Sequence, residues 1–176
     1  MIKFWIFSTA RGDACVIASE KGIKGALLPG WSRPQMMGYL VDHYPDAAPG
    51  KTPAGREVQA AVRFMKGYFK GAVSKKRPKL DLSGLSDFQR KVLGAVSKIE
   101  PGRTRSYSWV AERIGRRKAV RAAAHALAKN PLPLFIPCHR VIGKDGSLRG
   151  FSGVGGIRMK KALLDLEKKA AAKSRS

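Results

Sequence analysis

The stretch Leu134-Phe135-Ile136-Pro137-Cys138-His139-Arg140-Val141-Ile142 constrains this chain more than any other. An apolar run leads into a cysteine, an imidazole and a guanidinium, and two further apolar residues close it, so polar groups must enter the interior together with partners. The stretch reads as a buried strand or turn carrying a reactive thiol. A thiol with an ordinary pKa of about 8.5 is little ionised at neutral pH, and a nucleophilic cysteine needs a base or a positive charge beside it. This stretch supplies both, while Arg140 itself reads as structural, held by carbonyls or a carboxylate. Pro137 fixes its own φ and biases Ile136 towards extended geometry, which presents Cys138 on stiff backbone. The plainer reading makes Cys138 a small buried hydrophobe.

Composition narrows what such a thiol serves. At 176 residues and 44% hydrophobic content, the chain suits one large or two small domains with a real core. The net charge of +23, from 35 Lys and Arg against 12 Asp and Glu, calls for a polyanionic partner. Nucleic acid leads. A membrane surface is the rival, but no signal peptide, lipidation motif or bilayer-length apolar run is visible. Two cysteines make no disulfide framework, so a reducing, cytoplasmic compartment is expected. Cys15, Cys138, His43, His125 and His139 offer no zinc spacing, and no metal is expected.

The chain reads as α+β in two domains, 1–79 and 80–176. Ile2 to Phe7, Ala14 to Ala18 and Ile23 to Leu28 are antiparallel strands, with turns at Arg11-Gly12-Asp13 and Lys21-Gly22. Cys15 falls mid-strand in a structural role. Between Pro29 and Pro53 only Met36 to Val41 suggests helix, one turn or two, and His43 is a surface or capping residue. Val58, Val62, Met65 and Phe69 share one helical face, and Gly71 ends that helix. The basic segment Ala72 to Lys79 reads as a linker.

The second domain opens with Leu80-Asp81-Leu82. Ser86-Asp87-Phe88-Gln89 is a capping box, and Phe88, Val92, Leu93 and Val96 form the buried stripe behind it. Ser106 caps a helix with Val110, Ala111 and Ile114 inward, ended by Gly115. After Arg116-Arg117, a helix over Lys118 to Lys129 buries Val120, Ala123, Ala124 and Leu127. The pair forms a helix-turn-helix. Its outer side carries Lys118, Arg121, Ala122, His125 and Lys129, with no Asn, Gln or Glu to read base edges, so sequence-tolerant DNA binding is expected. In the last helix Ile157, Met159, Leu163, Leu164 and Leu166 give the apolar side. Glu167 lies on its flank, where position alone reads as a boundary residue facing water and an acid turned inward needs a partner.

Asn130-Pro131-Leu132-Pro133 precedes the thiol stretch; Gly143-Lys144-Asp145-Gly146 and Gly150-Phe151-Ser152-Gly153 follow it. In that setting Pro137-Cys138-His139-Arg140-Val141 resembles the active-site signature of the O6-alkylguanine-DNA alkyltransferases. The resemblance is strong from about Leu80 to Glu167. It is faint before, where Tyr68-Phe69-Lys70-Gly71 is similar to the end of the family's first domain. It implies a ribonuclease H-like N-terminal domain and a helix-turn-helix used in the minor groove of double-stranded DNA containing O6-alkylguanine. Cys138 would take the alkyl group from that base, or from O4-alkylthymine, and keep it.

The resemblance also implies roles. His139 would be the general base on Cys138 through a bridging water, oriented by Glu167. Asn130 would join the recognition helix to the active-site stretch, where a helix C-cap is the simpler reading. Arg121 would enter the base stack and Tyr107 would crowd the phosphate beside the rotated nucleotide; a plain phosphate contact and a packing aromatic are the alternatives. Tyr107, Val141, Phe151 and Ser152 would line the pocket, and Arg116, Arg117, Lys118, Ala122 and Lys129 would meet DNA. Phe151 stands where many members have tyrosine, and two residues near Val154 and Gly155 look inserted. No cofactor is implied, since the damaged DNA brings the alkyl group, and a monomer is expected. Two other readings are a helix-turn-helix regulator with an inert cysteine, which leaves the thiol stretch unexplained, and a cysteine hydrolase, which leaves the charge unexplained.

Overall fold

β-branched and aromatic residues at the head of the chain favour extended backbone, and three strands form there: β1 (Ile2–Thr9), β2 (Gly12–Ser19) and β3 (Gly22–Leu27). This is a computed structural model, which describes residues 1–173 apart from Ala54, Lys75 and Ser152. β1 and β2 pair antiparallel with Trp5 opposite Val16, and β3 joins β2 antiparallel across a bulge at Ile17/Ala18. A fourth strand, β4 (Ala47–Pro49), runs parallel to β1 and completes the order β3-β2-β1-β4. Three residues ending in proline carry no strand signal, and an edge position is where a proline is tolerated.

Helix α1 (Arg33–His43) is longer than the one or two turns expected around Met36 to Val41. Ser32 and Gln35 make a reciprocal capping box and Pro34 occupies the first turn, which extends the helix upstream. Its Met36 and Leu40 pack with Phe4, Cys15, Ile17 and Leu27 in a buried cluster. Cys15 is structural there, and burial pushes its thiol up to about 12. His43 stacks on the Tyr39 ring at 4.0 Å, with Nδ1 3.0 Å from the Tyr39 carbonyl. Helix α2 (Arg56–Phe69) buries the expected Val58, Val62, Met65 and Phe69.

By its internal contacts the chain divides into two units, Met1–Leu82 and Ser83–Ser176. Leu80 and Asp81 are held to β3: the Ile23 amide donates to the Lys79 carbonyl at 2.9 Å, and the Asp81 amide to the Ile23 carbonyl at 2.7 Å. The division therefore falls three residues past the Lys79/Leu80 point drawn from composition. Asp81 is buried, accepting the Ser19 hydroxyl at 2.5 Å with Lys24 at 3.8 Å.

In the second unit α3 (Asp87–Ser97) starts at the Ser86/Gln89 capping box and buries Val92, Leu93, Ala95 and Val96. Helix α4 (Tyr107–Arg113) follows a two-residue strand, β5 (Arg105–Ser106), and the Ser106 hydroxyl caps it by accepting from the Trp109 amide. Helix α5 (Val120–Ala128) is shorter than Lys118 to Lys129. Residues Arg116 to Ala119 form a turn, with the Ala119 amide bonded to the Arg116 carbonyl. It buries Ala123, Ala126 and Leu127, while Val120 and Ala124 are only partly covered. Strand β6 (Val141–Ile142) pairs parallel with β5, and α6 (Gly156–Lys173) packs against the turn before β6. The architecture is mixed α+β, with a small sheet and six helices among the described residues.

Two glycines in the first unit should respond in opposite directions. Gly22 has φ +143°, and a Cβ there would come within 2.6 Å of the Lys79 carbonyl oxygen. Gly38 lies inside α1 with nothing within 4 Å of a Cβ. In urea denaturation, Gly22→Ala should lower stability by about 1–3 kcal/mol and Gly38→Ala should raise it by about 0.5–1 kcal/mol.

Candidate active site

The thiol stretch is a turn, and each of its bends has a local cause. Leu134 is a non-glycine residue at φ +74°, a conformation that costs roughly 1–2 kcal/mol. Burial of Leu132, Leu134, Phe135 and Ile136 holds it there. Asn130 spans the bend: its Nδ2 donates to the Ile136 carbonyl at 2.9 Å and its Oδ1 accepts the Leu132 amide at 3.0 Å. Pro137, at φ −81° and ψ 65°, makes an inverse γ-turn closed by the Cys138 amide on the Ile136 carbonyl. Cys138–Arg140 then form one turn of 3-10 helix. Of the strand and the turn that the stretch left open, the structure has the turn, with Cys138 and His139 on helical backbone. Three residues per turn still send adjacent side chains in different directions.

One carboxylate organises the interior of this site. Glu167, His139 and Arg140 are 0%, 0% and 2% exposed. Glu167 Oε1 lies 2.8 Å from His139 Nε2, and Arg140 donates through Nε to both oxygens (3.1 and 2.9 Å) and through Nη2 to Oε1 (2.6 Å). The Gly102 amide donates to Oε2 at 3.0 Å, and Arg140 Nη1 reaches the Ile99 carbonyl at 2.5 Å. Burial alone would push the Glu167 carboxyl up, but the hydrogen bonds and charges of His139 and Arg140 hold it well below the usual carboxylate range. Burial pulls His139 below its ordinary value, so the ring is neutral at pH 7. A carboxylate only accepts, so Nε2 carries the hydrogen and Nδ1 the lone pair, which is the form a proton acceptor needs.

The positive charge that acts on the thiol comes from a residue that the sequence reading passed over. Lys160 of α6 is fully buried, and its Nζ donates to the carbonyls of Val141 and Arg149, both at 2.6 Å. It also lies 3.5 Å from the Tyr107 hydroxyl, which itself donates to the Arg149 carbonyl at 2.8 Å. Burial lowers the Lys160 ammonium to about 8. Burial raises the Cys138 thiol, and the Asn130 side chain and the Lys160 charge act against that rise. The resting group is therefore a thiol, and its expected lowering by adjacent residues is not what this site does. Arg140 is committed to Glu167 and Ile99. The spacing Lys160, Leu163, Leu164, Glu167 was a visible signal, because it sets a lysine on the apolar stripe of α6. Ile157, assigned to that stripe, is 51% exposed.

The other assigned residues fall into two groups. Val141 is buried and Tyr107 and Phe151 are partly buried; Lys160 reaches the Val141 carbonyl and the Tyr107 hydroxyl. Ser152 lies outside the described residues. Arg116, Arg117, Lys118, Arg121, Ala122 and Lys129 are all exposed, along α5 and the turns at its two ends, and Arg117 reaches Glu112 at 2.9 Å. His125 is exposed on α5 beside them.

Residues 87–169 match the family described as the 6-O-methylguanine DNA methyltransferase, DNA binding domain. A Mycobacterium bovis protein named methylated-DNA–protein-cysteine methyltransferase is 43% identical over 120 residues, which cover 68% of this chain and 71% of that one. An inducible protein of that name from Bacillus subtilis is 36% identical over 168 residues, covering 96% and 86%. Among solved structures, Mycobacterium tuberculosis OGT in complex with DNA has a TM-score of 0.78 at 30% identity, over 96% of this chain and 94% of that one.

Glu167→Gln leaves the Arg140 charge buried without its counter-ion and should lower stability by about 3–5 kcal/mol at neutral pH. The folded-state pKa of Glu167 is depressed, so its contribution is present above the ordinary value of 4.5 and lost as pH falls below it. Urea midpoints of wild type and variant should therefore converge under acid. A gap that stays constant would remove Glu167 as its source.

Proposed function

The chain belongs to the methylated-DNA–protein-cysteine methyltransferase family, and on that premise we propose that it repairs DNA by moving the alkyl group of O6-alkylguanine irreversibly onto Cys138. O4-alkylthymine presents its alkyl carbon in the same way and is a second substrate. The observation that carries this assignment of the site is a neutral His139, hydrogen-bonded to a buried carboxylate, next in sequence to a thiol that must lose its proton to react.

A base inside a duplex cannot offer its O6 substituent to a thiol, so the nucleotide is rotated out at a cost of a few kcal/mol. Helices α4 and α5 act as a helix-turn-helix, with α5 in the minor groove. Ala122 lets the helix approach closely, Arg121 fills the space the base leaves, and Tyr107 crowds the adjacent phosphate. Arg116, Arg117, Lys118 and Lys129 meet phosphates. With no base-edge reader on that side, binding is indifferent to sequence, which suits damage that arises in any context.

His139 takes the Cys138 proton through a bridging water, and Glu167 stabilises the imidazolium that results. The thiolate attacks the alkyl carbon. The S–C bond forms as the C–O bond breaks, and the released electron pair goes to guanine. The leaving base regains a proton from the Tyr107 hydroxyl, which lies 3.5 Å from the Lys160 ammonium. Val141 and Phe151 line the pocket, where Phe151 stacks without the hydroxyl of a tyrosine. Asn130 keeps the turn in register with α5. A thioether has no good leaving group, so each molecule acts once and needs no cofactor. The order β3-β2-β1-β4, with β4 parallel to β1, supports reading the first domain as a ribonuclease H-like support. The protein works as a cytoplasmic monomer.

Mixing the protein with an O6-methylguanine duplex should add the mass of one methyl group per chain, mapped by peptide analysis to Cys138. Cys138→Ala should abolish the gain and retain DNA binding. Binding of one preferred sequence without a mass change would favour a regulator, and turnover of an ester a hydrolase. Arg121→Ala should slow repair of duplex roughly tenfold and affect free O6-benzylguanine less; equal losses would remove its place in the base stack.

A further inference from the structure

The reactive unit does not hold all of the positive charge. Residues 1–82 carry 14 Lys and Arg against 6 Asp and Glu, a net +8, far from Cys138 in sequence. Much of it lines two clefts. Along α2, Arg56, Ala60, Arg63 and Gly67 recur every three or four residues and so share one stripe. That stripe and the segment carrying Ser74, Lys76 and Pro78 enclose a cleft of about 450 Å³. A second cleft, of about 670 Å³, is lined by Lys3, Trp5, Lys21 and Lys79. Arg56 and Glu57 line both, so the two are continuous.

The acids along this path are already engaged. Glu57 accepts the Lys79 amide at 2.5 Å, and Glu20 pairs with the terminal amino group at 3.0 Å. Among the described residues Lys3, Lys21, Arg56, Arg63 and Lys76 are in no ion pair, and all five are exposed. The Ile23 amide holds the Lys79 carbonyl against β3 at 2.9 Å, so this side of the track is fixed by the fold.

We propose that this continuous basic track binds the phosphodiester backbone of duplex DNA, as a second contact surface that does no chemistry. Arg56 and Arg63 are about 10 Å apart along the helix axis, roughly three steps of 3.4 Å along one DNA strand, so each can meet its own phosphate. Low-dielectric walls concentrate the field of the cations in the groove. A concave track fits a rod-like polyanion better than it fits a planar layer of headgroups. The proposal takes DNA as partner from the function above and requires nothing of Cys138.

The test compares the full-length triple variant Arg56→Ala/Arg63→Ala/Lys76→Ala with a control, Arg11→Ala/Lys51→Ala/Lys70→Ala, which removes as many exposed charges from residues that line neither cleft. Binding of undamaged duplex is titrated against salt, and alkyl transfer from free O6-benzylguanine is followed by mass. The track variant should bind DNA with a log K against log salt slope shallower by roughly three. The control should keep the wild-type slope, and all three proteins should accept the benzyl group at one rate. An unchanged slope in the track variant, or equal losses in both variants, overturns the proposal. So does a loss of binding to phosphatidylserine vesicles with DNA binding intact. Failure of wild type to accept the benzyl group would instead count against the function above.

Discussion

A carboxylate sealed from water governs the second unit. Leaving the Glu167 charge unpaired in the interior would cost several kcal/mol. Its partners come from separate parts of the chain: His139 and Arg140 from the turn after Pro137, and Gly102 from the connection between α3 and β5. Arg140 extends the same network to the end of α3 through the Ile99 carbonyl. These segments dock together, because any one of them missing exposes a buried charge without compensation. The same docking puts a neutral, oriented imidazole next to the thiol.

The electrostatics around that thiol defer its ionisation. Arg140 is the cation next to the thiol in sequence, and it is held by a carboxylate and a carbonyl, as its reading as a structural residue expects. The ammonium that reaches the thiol electrostatically is Lys160, itself weakened by burial. Burial keeps Cys138 protonated at rest, which limits the non-specific reactivity that a standing thiolate would have. In the proposed mechanism the reactive form arises when His139 takes the proton.

Backbone strain serves the same end. A left-handed Leu134 and a γ-turn at Pro137 are not conformations a short peptide would hold. They persist because four apolar side chains are buried around them and Asn130 bonds to the backbone on both sides of the bend. The rigidity expected from Pro137 is present, but it belongs to a tight turn and not to a strand.

Much was legible from local chemistry. The three antiparallel strands, the buried face of α2, the capping box at Ser86 and the cap at Ser106 each follow from neighbours a few residues apart. Glu167 could be placed on the edge of an apolar stripe, where position alone reads as a boundary residue facing water; packing buries it instead. The full length of α1 was also encoded, in Ser32-Arg33-Pro34-Gln35, but its few apolar residues hid it. Strand β4 could not be read, since three residues have no period and exist as a strand only beside β1. Nor could the sequence say which cation attends the thiol. Arg140 is two residues from Cys138 and turns to Glu167, whereas Lys160 is twenty-two residues away and is the one that approaches. Residue order specifies which groups are available and which local turns they favour. Which buried charge satisfies which depends on distances set only when remote segments pack, because pairing inside a protein is decided by the cost of leaving any partner out.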